Sequence, residues 1–159
     1  MRSKPGASLS EIEAVYRERF PELRRVAAAI VGDRDAALDV VQEAFGRAIR
    51  RRKTYRGDGP LEAWIWRIVV NTATDYRRPR PVPVVQDTVS SNGHLEESAA
   101  LAAAIALLPE RQRLALFLRY YADLDYDTIA ETLGVEPGTV AASLNAAHAA
   151  LRKALEVAR

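Results

Sequence analysis

Apolar residues recur at i, i+3 and i+4 in at least four stretches of this 159-residue chain, and no segment alternates convincingly as a strand would. The pattern predicts an all-α protein. A first helix is expected to begin at Ser10, where Glu13 completes a capping-box spacing, and to carry Val15, Leu23, Val26 and Ile30 before Gly32 stops it. A second begins near Asp33 and turns Leu38, Val41, Phe45 and Ile49 inward. A third is expected from Leu61 to Arg77, with Trp64, Ile65, Ile68 and Val69 on its buried side. That stripe takes Trp64 into the core and leaves Trp66 unassigned.

Breakers divide the chain. Thr54-Tyr-Arg-Gly-Asp-Gly-Pro60 reads as a loop by its two glycines and proline. Arg78-Pro-Arg-Pro-Val-Pro83 ends the third helix, because proline removes a donor and biases the residue before it toward extended backbone. The polar, aperiodic stretch that follows reads as a linker over 80–94, between helical domains at 8–79 and 95–157. The second domain begins with an Ala/Leu helix to Leu108 and a helix from Pro109 to about Tyr121. From Asp125 to Leu144 come two short helices joined by a tight turn. Ala130 is small where the helices must approach, Gly134 can take the turn conformation, and Pro137, Gly138 and Thr139 open a second helix anchored by Val140 and Leu144. Such a helix-turn-helix lays its second helix in the DNA major groove.

Composition narrows the chemistry. With no Cys there is neither a disulfide framework nor a thiolate metal site, and the two histidines, His94 and His148, lie far apart, so no metal or cofactor is expected. The longest nearly pure apolar run, Ala99 to Leu108, is ten residues and falls short of the roughly 20 that span a bilayer. The charged first residues lack an apolar signal core, so a cytoplasmic protein with no membrane partner is expected. The net charge of +2 hides an asymmetry: residues 1–80 hold 17 Lys/Arg against 11 Asp/Glu, a net +6, and residues 81–159 hold 6 against 10, a net −4. The two halves face different partners.

Three blocks, in order, resemble the small bacterial sigma factors of the extracytoplasmic-function (ECF) type. Asp39-Val-Val-Gln-Glu-Ala-Phe45 is similar to a core-binding block of the family's region 2. Tyr55 to Asn71, continuing through Asp75 to Arg78, is similar to its promoter-reading part. Leu108-Pro-Glu-Arg-Gln-Arg113 and the helix-turn-helix are similar to region 4. The resemblance implies a region 2 helical bundle and a region 4 helix-turn-helix domain joined by the proline-containing linker. It implies a factor that directs RNA polymerase to promoters, with region 2 reading the minus-ten element and region 4 docking near the minus-thirty-five element. Its partners would be core polymerase (the β′ coiled coil and the β flap), promoter DNA and an anti-sigma factor.

Each block also has a plain physical reading. Asp39, Gln42 and Glu43 share one helix face opposite the apolar stripe, which alone describes a solvated surface; in the family this surface grips the β′ coiled coil. Tyr55 offers an aromatic face and Asn71 an amide, the groups that hold an unstacked base, and the resemblance places both at a pocket for a flipped minus-ten base. Arg50, Arg51, Arg52, Lys53, Arg56, Arg67, Arg77, Arg78 and Arg80 cluster about the loop and third helix as a candidate phosphate track.

The chain departs from its family in the second helix of the helix-turn-helix. Family members resemble Gly-Thr-Val-Lys-Ser-Arg-Leu-His-Arg-Ala-Arg here, whereas this chain has Gly138-Thr-Val-Ala-Ala-Ser-Leu-Asn-Ala-Ala-His148, and no Lys or Arg occurs from Pro137 to Leu151. Thr139, Ser143, Asn145 and His148 remain as readers, with only a small electrostatic contribution to affinity. An initiation factor is therefore weighed against a decoy that binds an anti-sigma factor without driving transcription. An enzyme is disfavoured, since there is no nucleophilic Cys, His pair, metal spacing or Gly-rich phosphate loop. A conventional repressor would leave residues 33–78 unexplained.

Overall fold

The computed structural model describes residues 6–77 and 95–157. The expected linker lies outside them, as do Arg78 and Arg80. Among the described residues there are seven α-helices, a single 3-10 turn and no strand: α1 (Leu9–Val31), α2 (Arg34–Arg50), the turn Arg52–Thr54, α3 (Leu61–Arg77), α4 (Leu95–Ala106), α5 (Glu110–Tyr120), α6 (Tyr126–Leu133) and α7 (Pro137–Val157). Among the described residues no helix is long and apolar enough to cross a membrane.

Helices α1, α2 and α3 pack mutually as a three-helix bundle. The first begins two residues earlier than the spacing predicts. Ser8 is its N-cap: the Ser8 hydroxyl accepts from the Glu11 amide at 3.1 Å and the Glu11 carboxylate accepts from the Ser8 amide at 2.7 Å. The preceding backbone is already fixed, because the amides of Gly6 and Ala7 donate to the carbonyls of Tyr55 and Arg52. Glu13, expected in the cap, instead pairs with Arg17 at 2.7 Å.

The buried stripe of α2 is Ala36, Ala37, Val40, Val41, Ala44, Phe45 and Ala48, while Leu38 and Ile49 are exposed. A reading weighted toward large apolar residues misplaces the stripe where alanines let helices approach closely. The same shift corrects α3. Trp66 is fully buried and Trp64 only partly so. The Trp66 indole donates to Glu62 at 3.4 Å, and Glu62 is paired with Arg19 of α1 at 2.6 Å, so the buried ring keeps a partner for its polar atom. Phe45 meets the Tyr16 ring edge-on at 4.9 Å.

The remaining four helices enclose Leu108, Leu114, Leu116, Leu118, Leu124, Ile129, Val140 and Leu144. Arg113, itself buried, donates to the carbonyls of Ala106 and Leu108 and so satisfies orphan acceptors where α4 ends. Asp125 caps α6 through the Thr128 amide at 2.7 Å. Gly134, at φ 67°, makes the left-handed turn that a Cβ would strain, and Pro137 opens α7.

Candidate nucleic-acid interface

Tyr55 follows the 3-10 turn and is held twice: its carbonyl accepts from the Gly6 amide, and its hydroxyl donates to the carbonyl of Gly59 across the loop. Its ring lies 5.6 Å from that of Trp64, tilted by 53°. Burial, then Glu11 and Asp58, hold the Tyr55 phenol above its ordinary pKa, so it stays a neutral donor. Together with Thr54, Arg56, Pro60 and Arg67, these rings line an open cleft of about 220 Å³. An aromatic wall beside two guanidinium groups can take a base on its face and a phosphate at its rim.

Asn71 is exposed on α3, one turn beyond Arg67 and two beyond Trp64, and therefore on the same side of the helix, but it does not line the cleft. Arg77 ends α3, and Arg78 falls outside the described residues. Trp64 as the ring partner of Tyr55 in the cleft is the neighbour that sequence reasoning missed; nothing in the spacing of the two residues signals it.

On α2, Asp39, Gln42 and Glu43 are all exposed, as their spacing predicts. Glu43 is not a bare charge. It accepts from Arg47 at 3.2 Å and from Arg50 at 3.5 Å, and Arg47 also reaches Thr72 at 3.3 Å and Asp75 at 3.9 Å. A shallow groove runs between these groups, with Asp39 and Tyr76 among its walls. Its acidic groups come from two helices, Asp39 and Glu43 from α2 and Asp75 from α3.

On α7, Val140, Leu144 and Ala147 are buried, Asn145 is exposed, and Thr139 and Ser143 are half-buried. His148 is taken up by α5: its Nε2 shares a 2.7 Å hydrogen bond with the Tyr120 hydroxyl, and the rings meet edge-on at 5.7 Å. The four candidate readers thus comprise one exposed amide, two half-buried hydroxyls and an imidazole with a protein partner.

Residues 15–80 match the sigma-70 region 2 family and residues 98–153 the sigma-70 region 4 family. The chain is 34% identical over 134 residues to the ECF RNA polymerase sigma-E factor of Escherichia coli, covering 71% of this chain and 70% of that one. It is 33% identical over 147 residues to the RNA polymerase sigma-H factor of Pseudomonas aeruginosa, covering 79% and 76%. In fold it is similar to the sigma factor RpoE of Bartonella quintana, solved in complex with the anti-sigma factor NepR, at a TM-score of 0.73 and 22% identity over 95% of this chain and 100% of that one. It is likewise similar to CnrH, solved with the cytosolic domain of CnrY, at a TM-score of 0.74 and 21% identity over 95% and 91%. The chain belongs to the extracytoplasmic-function sigma factors of the sigma-70 family. Its function is promoter-directed initiation of transcription by RNA polymerase.

Proposed function

We propose that residues 8–79 form the unit that binds core polymerase and reads the minus-ten element, and that residues 95–157 form a docking unit placed near the minus-thirty-five element. The observation that carries this reading is the cleft in which Tyr55 and Trp64 stand beside Arg56 and Arg67. A promoter base leaves its stack and lies against the aromatic wall, Asn71 offers an amide to the strand farther along α3, and Arg56, Arg67, Arg77 and Arg78 neutralise phosphates. Opening is driven by the binding energy of the captured single strand, with no covalent step. Asp39, Gln42 and Glu43 meet the β′ coiled coil, where the arginine-buffered carboxylate of Glu43 suits a partner that brings its own cations. Region 4 docks on the β flap. The factor works in the cytoplasm, where the polymerase is.

The test is binding of single-stranded minus-ten DNA by the chain and by Tyr55→Ala, against a scrambled strand. Selective loss on the correct strand supports base reading. An equal loss on both strands overturns it.

A second reading is favoured by α7, which has no cation from Pro137 to Leu151 and whose His148 is engaged by Tyr120. Region 4 then serves mainly as a protein-binding module. The complex of the sigma factor RpoE with the anti-sigma factor NepR suggests an anti-sigma factor as its partner, and in the limit the chain is a decoy. Transcripts from purified chain and core polymerase separate the two.

A further inference from the structure

The connection between α2 and α3 carries Tyr55, and two of its carbonyls face the segment ahead of α1. The Ala7 amide donates to the Arg52 carbonyl at 2.8 Å and the Gly6 amide to the Tyr55 carbonyl at 2.9 Å, so the two bonds bracket the 3-10 turn at Arg52–Thr54 from outside. From within, the turn is closed by the Thr54 amide and hydroxyl, which both donate to the Arg51 carbonyl. The fit is close. Ala7 is 7% exposed and belongs to the apolar core, and Gly6 sits at φ 95°, where a Cβ would stand 3.2 Å from the Lys53 Cα and 3.3 Å from the Arg52 carbonyl oxygen. Backbone angle and close approach both call for glycine there. The next residue, Ser8, is locked to α1 by its capping box, so the segment is anchored on a rigid element.

A side chain that offers a flat face to a base is only as well aimed as the backbone that bears it. The Tyr55 hydroxyl is tied to Gly59, a residue of the same connection, and that bond travels with the loop. The bonds from Gly6 and Ala7 instead reach outside the loop, to the start of α1. We propose that Gly6 and Ala7 are positioning residues for promoter reading: they strap the loop to α1 and so set the direction in which the Tyr55 ring meets an unstacked base. This rests on the reading of the cleft as the minus-ten site. Glu11, the acid of the capping box, is also one of the charges that hold the Tyr55 phenol above its ordinary pKa, which places the start of α1 beside that side chain as well as beside its backbone.

Gly6→Val breaks the strap by bulk and backbone angle, and Ala7→Pro by removing the donor to Arg52. The probe is a 12-mer selected from a randomised single-stranded DNA pool by the full chain with core polymerase and not by core polymerase alone, alongside its scrambled version. Both variants should bind the selected strand about fivefold or more weaker, the lower end of what losing one base stack costs, and the scrambled strand as before. In a Tyr55→Ala background the same two changes should cost less than about twofold, because no ring is left to aim. Ile30→Val trims the core at the far end of α1; it should lower melting and leave strand affinity unchanged. Full affinity in either folded variant, or a loss of the same size with and without Tyr55, overturns the inference. An equal loss in Ile30→Val reduces the effect to stability and overturns it too. Independently of any variant, the Gly6 and Ala7 amides of the unmodified chain should exchange with deuterium about tenfold or more slower than in an unstructured peptide, and exchange at the unstructured rate removes the strap. If no strand is selected, the reading of the cleft itself fails, and the inference with it.

Discussion

The Tyr55 ring leans on Trp64 at 5.6 Å while its hydroxyl is tied to the Gly59 carbonyl, so one aromatic face is fixed in direction before any DNA arrives. A base that stacks there meets a preorganised surface. Tyr55→Ala should weaken binding to single-stranded minus-ten DNA by about 1–3 kcal/mol, the range for one lost base stack. Tyr55→Phe keeps the ring and should retain most of that binding. Fluorescence anisotropy on the two variants checks both.

The two tryptophans should respond oppositely to truncation. Trp66→Ala empties the centre of the region 2 bundle and should cost about 3–5 kcal/mol of stability. Trp64→Ala should cost much less stability and more DNA affinity. Chemical denaturation paired with strand binding separates them; a larger stability loss at Trp64 would contradict this placement.

On α2, the double change Asp39→Arg with Glu43→Arg should weaken core polymerase binding. It also removes the exposed pairs of Glu43 with Arg47 and Arg50, each worth about 0.2–1 kcal/mol, so melting should shift only slightly. Unchanged polymerase affinity would remove this face from the interface.

The Asp125 cap carries a pH dependence. Hydrogen bonds from Thr128 hold its carboxyl below the ordinary aspartate pKa. A depressed folded-state value means that the stabilisation is fully present above the unfolded pKa and is lost as pH falls through the folded one. Asp125→Ala should therefore cost about 1 kcal/mol at neutral pH, and the gap from the unmodified chain should close on acidification through the carboxylate range. Thermal melts at several pH values check the sign.

The cation-free α7 predicts weak duplex binding with a shallow salt dependence. Ala141→Lys with Ser143→Arg in the full chain should raise duplex affinity and steepen the slope of log K against log salt by about 0.9 for each phosphate engaged. Tight sequence-specific duplex binding through α7 of the unmodified chain would show that Thr139, Ser143 and Asn145 suffice.

Periodicity carried the helical class, and breakers, caps and a φ that favours glycine carried the bounds of α3 and the turn at Gly134, because each is a strong local cause. The exposed trio on α2 was legible for the same reason, since three spacings on one helix fix a face. Core identity was less so. Alanines in α2 and the choice between Trp64 and Trp66 depend on how closely neighbouring helices approach, which is set by partners distant in sequence. The start of α1 was offset because Ser8 and Ser10 both carry an acid three residues on, and only the tie of Gly6 and Ala7 to the loop decides between them. The Tyr120–His148 bond had no signal in the sequence.

The measurement that bears most directly on the central claim is run-off transcription with purified chain and core polymerase on genomic promoter fragments, including the region upstream of its own coding sequence. The account predicts discrete transcripts that depend on the chain and are lost with Tyr55→Ala while polymerase binding persists. No chain-dependent transcript, from a protein that still binds core polymerase, would contradict it.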